Sequence, residues 1–265
     1  MRLSVRSWIA FFSTAVLFTA SAPLTYTQDQ GLPNLHAEAQ QIFALANQAR
    51  ATAGVGKLEW DAALAEAALA HCRRMAQEGP IAHRYGGEPD VATRAANAGA
   101  RFGVIEENVA VGPTAEGIHN EWMNSPGHRS NLLSADVNRV GVAVVASRGV
   151  LYAVADYSRD VPALSAAQVE ARVADLIRVS GIAIRKDSSL ARAACAMDSG
   201  VPKSTVAGPQ PRFVMRWQDS DLAHLPQPLV DRLSSGSFHE ASVGSCPARD
   251  VEGSFTAYRV AVLLY

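Results

Sequence analysis

The sequence predicts an α+β protein in which helices pack against an antiparallel sheet. Two observations lead to this fold class. Over residues 36–53 and 61–78, apolar side chains recur at spacings of three and four, which is the period of an amphipathic helix. Over residues 140–157 the period changes to two, and Arg148-Gly149 divides this stretch into the two strands of a β-hairpin. Helices that precede a hairpin favour the α+β class.

Four helices are predicted before the hairpin, and capping or breaking residues limit them. Gly54 stops the first helix, Asp61 is a good N-cap for the second, and Gly79-Pro80 ends the second. Pro126-Gly127 breaks the last helix and turns the chain. The predicted helices are, in chain order, 36–53, 61–78, 91–98 and 114–122.

A linker at 159–166 separates this part from a smaller α+β unit at 167–265. Helices are predicted over 169–179, 187–197 and 229–233, and a final strand within 254–265. The sequence DAALAEAA at Asp61–Ala68 aligns with DSSLARAA at Asp187–Ala194, which favours a degenerate repeat of the first unit. The alternative is that alanine-rich helices resemble one another by chance.

Residues 1–27 are predicted to be a secretory signal peptide. Met1–Arg6 carries two arginines, and the apolar run Trp8–Ala20 is followed by small residues. The run is shorter than the ~20 apolar residues that a spanning helix needs, and an uncleaved anchor is the alternative. No second long apolar run follows. We therefore expect a mature chain without a transmembrane helix that is secreted or resides outside the cytoplasm, in the periplasm or cell envelope.

Charge and cysteine content narrow the class further. The formal net charge is −1, so no electrostatic footprint for nucleic acid is present. The chain has three cysteines, and a disulfide is allowed in an exported protein. Cys195 and Cys246 are the favoured pair because both lie in the C-terminal unit. Cys72 lies in a helical stretch and is expected to be a small buried apolar residue.

Five short motifs then occur in a characteristic order. They are NQAR at 47–50, LEWDAAL at 58–64, AHRYGG at 82–87, EENVAVG at 106–112, and WMNSPGHRSNLL at 122–133 followed by RVGVAV. Together they resemble the bacterial branch of the CAP superfamily, also called SCP/TAPS, which contains cysteine-rich secretory proteins, antigen 5 and pathogenesis-related 1. The resemblance covers residues 36–157 and places a CAP/SCP domain at 36–158. It implies a three-layer α-β-α sandwich.

The resemblance also implies a cleft lined by two histidines and two glutamates. His83 and His128 match the family's histidines, and Glu107 matches the glutamate of a Gly-Glu-Asn motif, although Glu106 stands where the glycine would be. Asn131 takes the place of a family glutamine.

The fourth member of the cleft departs from the family pattern. Ser125 stands where many eukaryotic members have a glutamate. Glu121, just before Trp122, is a weak substitute. A shift of one residue turns a side chain by about 100° around a regular helix, so Glu121 faces a different direction.

The chemistry of these residues leaves three functions open. Neutral imidazoles and a carboxylate suit zinc or another divalent cation, so His83, His128 and also Glu107 are candidate ligands. Glu107 can instead fix a histidine tautomer and raise its pKa. A metal-bound water beside Glu106 or Glu107 would allow an extracellular hydrolase, but no nucleophile elbow and no HExxH helix occur. The third hypothesis is a non-catalytic interaction module. The expected partner is an unidentified extracellular ligand or cell-envelope component.

Other polar residues are predicted to be structural. Asn47 and Arg50, spaced i, i+3, lie on one side of a helix and can hold neighbouring loops. Trp122 is expected to anchor the core, and Arg129 to bind backbone carbonyls unless it is a surface cation. His71 lies on the apolar stripe of its helix and is expected to be a core histidine with its ring satisfied.

Overall fold

The computed structural model describes residues 35–201, 209–249 and 255–265, and these belong to one compact unit, Pro33–Tyr265. The predicted signal peptide lies outside the described residues. Within them, no helix combines the length and the apolar character that crossing a bilayer requires.

The first half of the unit is a three-layer α-β-α sandwich. Its elements are α1 (Leu35–Thr52), β1 (Glu59–Trp60), α2 (Ala62–Glu78), α3 (Val91–Asn97), β2 (Phe102–Gly112), α4 (Ala115–Asn124), α5 (Pro126–Leu133), β3 (Arg139–Ser147) and β4 (Val150–Asp160). The strand order is β1-β3-β4-β2, in which β1 runs parallel to β3 and the other neighbours are antiparallel. β2 therefore lies at one edge of the sheet.

Alternation along the strands divides the core between the two faces of the sheet. Val142 and Val144 pack with Ile42 of α1 and Trp122 of α4 on one face. Ala143, between the two valines, packs with α2 on the other face. Because successive side chains in a strand point to opposite sides, one strand supplies both layers. The predicted sandwich is therefore correct.

Two local features differ from the sequence prediction. Ser125 ends α4 and directly begins α5, where Pro126 occupies the first turn, so the expected turn is a junction of a single residue. Proline is well suited to a first helical turn because the N–H it lacks would have no helical partner. The 11-residue strand β2 carries a run of four buried residues on both faces, which hides the alternation by which strands are recognised.

The second half repeats this architecture in smaller form. Its elements are α6 (Ala166–Arg178), β5 (Ala183–Ile184), α7 (Ser189–Cys195), β6 (Phe213–Asp219), α8 (Gln227–Leu233), β7 (Glu240–Cys246) and β8 (Tyr258–Leu264). The order β5-β7-β8-β6 and the strand directions are the same as in the first sheet. A different strand order would have excluded a repeat, and the orders agree.

A glycine marks the same close approach in each half. A Cβ at Gly141 of β3 would overlap the backbone of Ala65 in α2, and a Cβ at Gly244 of β7 would overlap the backbone of Ala191 in α7. Ala65 and Ala191 are also paired in the alignment of DAALAEAA with DSSLARAA. Gly141 and Gly244 are therefore structural equivalents, and they fix the register between the halves.

The disulfide joins the elements that meet at Gly244. Cys195 ends α7, Cys246 ends β7, and their Cα atoms are 5.8 Å apart. This is the pair that the sequence favours. In the chain-entropy model, a crosslink between residues this far apart in sequence stabilises a domain by about 4 kcal/mol. Cys72 is a free, buried thiol, and burial raises its pKa to about 12.

Candidate functional site

His71 fixes the loop that carries His83 through hydrogen bonds of its ring. The ring of His71 is buried, with Nδ1 2.8 Å from Glu88 Oε1 and Nε2 2.8 Å from the carbonyl oxygen of Ala82. Glu88 also accepts a hydrogen bond from the Tyr85 N–H at 3.0 Å. His71 is thus a satisfied core histidine, as predicted, and it fixes the backbone immediately before His83.

Arg94 of α3 fixes the other side of this loop. Its guanidinium is almost fully buried and donates to the carbonyl oxygens of His83 at 3.3 Å and Pro89 at 3.0 Å. It also forms an ion pair with Glu107 Oε2. Arg94 therefore ties the His83 loop to β2, a role that the sequence did not indicate.

His83 and Glu107 form the central contact of the site. His83 Nδ1 lies 2.8 Å from Glu107 Oε1, and the exposed fraction of the side chain is 60% for His83 and 4% for Glu107. The hydrogen bond that His83 Nδ1–H donates to Glu107 is the main reason why the pKa of His83 is raised, and burial opposes this shift. Because Nδ1 is engaged, Nε2 is the ring nitrogen left for a ligand.

His128 reaches the same edge of the sheet from the opposite face. It lies in the first turn of α5, which two asparagines fasten to β2. Asn108 Nδ2 donates to the His128 carbonyl oxygen at 2.9 Å, and Asn131 Nδ2 donates to Asn108 Oδ1 at 3.0 Å and to the Glu107 carbonyl oxygen at 3.2 Å. Asn131 is therefore a positioning residue.

One ring nitrogen of His128 lacks a hydrogen-bond partner among the described residues. This nitrogen is Nδ1, and it is buried. Burial lowers the pKa of His128, the charge of His83 lowers it further, and the charge of Glu121 opposes this. The two histidines are thus close enough to interact electrostatically.

The two remaining glutamates do not join the contact between His83 and Glu107. Glu121 is exposed on α4 and acts on His128 only through its charge. Glu106 points to the other face of the sheet, where burial and then the charge of Asp136 raise its pKa. Glu106 therefore lies in the layer opposite the contact between His83 and Glu107 and takes no part in that contact.

Asp156 of β4 is a buried carboxyl group that the sequence did not reveal. It is directly opposite Glu107 in the strand register and has an exposed fraction of 0%. Neither of its oxygens has a hydrogen-bond partner among the described residues. Burial and then the charge of Glu107 raise its pKa well above the ordinary value, with Arg94 opposing. Burial beside Glu107 therefore favours the neutral form of the Asp156 carboxyl group.

The predicted structural residues divide into three that hold the fold and one that does not. Arg50 and Trp122 are buried, and Asn47 exchanges two hydrogen bonds with Leu58, at 3.1 and 2.8 Å. Trp122 Nε1 donates to the Val109 carbonyl oxygen at 3.2 Å. Arg129 is exposed, and its side chain makes no hydrogen bond or ion pair with any described residue, so it is a surface cation.

The second half has no acid at the two described positions that correspond to Asp156 and Glu107. In the strand register, Asp156 lies opposite Gly141 on one side and Glu107 on the other. Its counterpart Ala261 lies opposite Gly244 and Arg216 in the same way. Arg216 thus stands where Glu107 stands, and its Nε donates to the Ala194 carbonyl oxygen at 2.6 Å. The repeated architecture carries no acid at the equivalent position.

Replacing Glu107 with glutamine is expected to lower the pKa of His83. The amide keeps the size of the carboxyl group but removes the negative charge that favours the imidazolium. Histidine NMR titration of both proteins measures the change. Asn131→Ala is the control, since it touches the same strand without changing the charge, and an unaltered His83 pKa in Glu107→Gln would contradict the assignment.

This fold and this edge site define the class of the first half. Residues 43–157 match the family model described as CAP, the cysteine-rich secretory protein family, and form a CAP domain.

Two curated relatives from Bacillus subtilis (strain 168) are similar over part of the chain. The uncharacterized membrane protein YlbC is 37% identical over 113 residues, which is 40% of this chain and 31% of YlbC. The uncharacterized protein YkwD is 29% identical over 142 residues, which is 52% of this chain and 54% of YkwD. The similarity therefore spans about a third to about half of the length of these relatives.

Two solved structures are also similar. An extracellular SCP-domain protein from Bacillus anthracis has 27% identity and a TM-score of 0.43, covering 47% of this chain and 41% of that chain. An outer surface protein from Borrelia burgdorferi has 19% identity and a TM-score of 0.46, covering 48% of this chain and 96% of that chain.

Proposed function

We propose that the CAP domain binds a divalent cation of the zinc type through Nε2 of His83 and of His128. The observation that carries this proposal is the 2.8 Å contact between His83 Nδ1 and Glu107. A carboxylate on the far nitrogen of a metal-binding histidine fixes its tautomer and orientation and increases its basicity. The chemistry that the cation would supply is Lewis acidity toward an oxygen or nitrogen donor.

The contacts of Glu107 suit an orienting carboxylate better than a direct ligand. One of its oxygens faces His83 and the other pairs with Arg94, so neither is free for a cation. No group of three or more His, Cys, Asp or Glu side chains that could enclose a metal occurs among the described residues. Two imidazoles therefore constitute the proposed protein ligands, and water or a bound partner would complete the coordination.

We further propose that the protein works outside the cytoplasm on an extracellular or cell-envelope ligand. The charged and apolar pattern of residues 1–27 supports export. The disulfide between Cys195 and Cys246 supports an oxidising compartment, where such bonds persist. A hydrolase is less well supported, because the ion pair with Arg94 makes Glu107 a poor general base.

Zinc titration by isothermal calorimetry tests the cation proposal. Protein purified without an affinity tag is expected to bind one zinc ion, and His83→Ala with His128→Ala is expected to abolish that binding. His224→Ala is the matched control, because His224 is exposed and its side chain forms no hydrogen bond or ion pair with any described residue. Equal affinity in the wild type and the double variant would contradict the proposal and leave an interaction module.

The same titration has a defined pH dependence. A histidine must be neutral to bind zinc. Because the pKa of His83 is raised above the ordinary value of about 6.5, protons are expected to compete with zinc at a higher pH than they would at an ordinary histidine. Affinity should therefore fall as the pH falls through this raised value. Glu107→Gln is expected to weaken binding by about 10- to 100-fold.

A further inference from the structure

A groove lies between α1 and α2, and none of His83, Glu107 and His128 lines it. It has a volume of about 390 Å³ and mostly apolar walls. Trp60 and Leu69 are its large apolar side chains, and His36 and Arg73 are its titratable side chains. Its floor is Val142–Val145, a segment of β3 on the side of the sheet opposite β2.

The floor of the groove is an edge of β3 that has no partner strand beyond Val140 among the described residues. β1 covers β3 only at Arg139 and Val140, because the chain turns into α2 after Trp60. Along β3, the backbone N–H and C=O groups point away from β4 at every second residue. After Val140, these are the groups of Val142 and Val144. No hydrogen bond to the outward groups of Val142 or Val144 is formed by any residue that the structure describes.

The second half shows how the equivalent edge is closed. Since Gly244 corresponds to Gly141, Ser245 corresponds to Val142. Glu170 of α6 extends over the strand edge and accepts a hydrogen bond from the Ser245 N–H at 3.0 Å. Arg192 of α7 holds that carboxylate with two hydrogen bonds, at 2.6 and 2.7 Å. The edge N–H, a carboxylate and an arginine of the second helix thus form one closed unit.

The first half has the same strand edge, but Glu66 stands where Arg192 stands, and the arginine of the groove is Arg73, about two turns further along α2. Arg73 lies on α2, is exposed at the rim of the groove, and has no ion-pair or hydrogen-bond partner in the described structure. No acidic side chain lines the groove. The groove is therefore complementary in charge to a carboxylate that comes from outside the described chain.

We propose that this groove binds an extended acidic peptide of a partner protein. The peptide adds as a short strand to the edge of β3, where its backbone pairs with Val142 and Val144. An acidic side chain of the peptide pairs with Arg73 at the rim of the groove. Apolar side chains beside it pack against Trp60 and Leu69. Strand addition supplies affinity through the main chain, and the carboxylate supplies selectivity.

NMR titration of the ¹⁵N-labelled protein with two peptide mixtures tests this proposal. Both mixtures consist of acetylated, amidated pentapeptides with apolar residues around the centre. One mixture has glutamate at the centre and the other has glutamine. The amide signals of Val142 and Val144 are expected to shift with the glutamate mixture, at about millimolar peptide or below, and the glutamine mixture is expected to bind about tenfold more weakly.

Two surface variants complete the test. Arg73→Glu is expected to abolish the preference for glutamate, whereas Lys57→Glu, the same charge change at an exposed residue outside the groove, is expected to retain it. Unshifted Val142 and Val144 amides at millimolar peptide, or equal binding of the two mixtures by the wild type, would overturn the proposal. Shifts confined to the surroundings of His83 and His128 would also overturn it and would leave the proposed cation site unaffected.

Discussion

Replacing Arg50 with alanine is expected to lower the free energy of unfolding by about 3–5 kcal/mol. The side chain is only 1% exposed. It donates to four backbone carbonyl oxygens, those of Gly56 at 2.6 Å, Leu132 at 2.9 Å, Ser134 at 2.8 Å and Val137 at 3.1 Å. Its removal leaves these acceptors without a donor and opens a cavity where α1 meets the end of α5.

Chemical denaturation of Arg50→Ala and Arg129→Ala measures this effect with a matched control. Arg129→Ala is expected to change stability by less than about 0.5 kcal/mol, because its side chain is exposed and without partners among the described residues. Arg50→Lys keeps the charge but cannot span four acceptors, so an intermediate loss is expected. A loss below about 1 kcal/mol for Arg50→Ala would mean that the carbonyl cluster does not hold these elements together.

Replacing Gly141 with alanine is expected to destabilise the protein by about 3 kcal/mol or more. The added Cβ would overlap backbone atoms of Leu64 and Ala65, and backbone within a helix cannot rotate away as a side chain can. α2 would have to move off the sheet and lose the packing of its buried face. Gly244→Ala is expected to act in the same way through Ala191 and Arg192.

Gly127→Ala is the control for both glycine variants. Gly127 lies inside α5, and a Cβ there would meet no atom within 4 Å. Alanine is therefore expected to be neutral or to stabilise by roughly 0.5–1 kcal/mol through helix propensity. Thermal unfolding of the three variants gives the order of stability. Similar melting temperatures for Gly141→Ala and Gly127→Ala would contradict the described approach of α2 to β3.

The sequence predicts those elements whose signals are local. Asp61 is an N-cap whose carboxylate accepts hydrogen bonds from Ala63 N–H and Leu64 N–H, and the hairpin of β3 and β4 follows from its alternation. β2 was not predicted as a strand because burial on both faces removes its alternation. β1 is not predictable from local pattern, since its two residues become a strand only by pairing with Arg139 and Val140.

The same distinction between local and long-range information explains which residues of the site could be predicted from the sequence. His83, Glu107 and His128 could be named because each lies in a short motif. Arg94 and Asp156 could not, since Arg94 looks like a surface charge on a short helix, and the position of Asp156 opposite Glu107 depends on strand register. Sequence reasoning also failed for Arg129, because a cation after a turn gives no indication of whether a carbonyl lies within reach.

Anomalous X-ray diffraction at the zinc edge, from crystals grown with zinc, tests the central claim most directly. We expect one anomalous peak at about 2.0–2.1 Å from Nε2 of both His83 and His128, with His83 Nδ1 still hydrogen-bonded to Glu107. A peak elsewhere on the molecule, or no peak between the two imidazoles, would contradict the cation proposal.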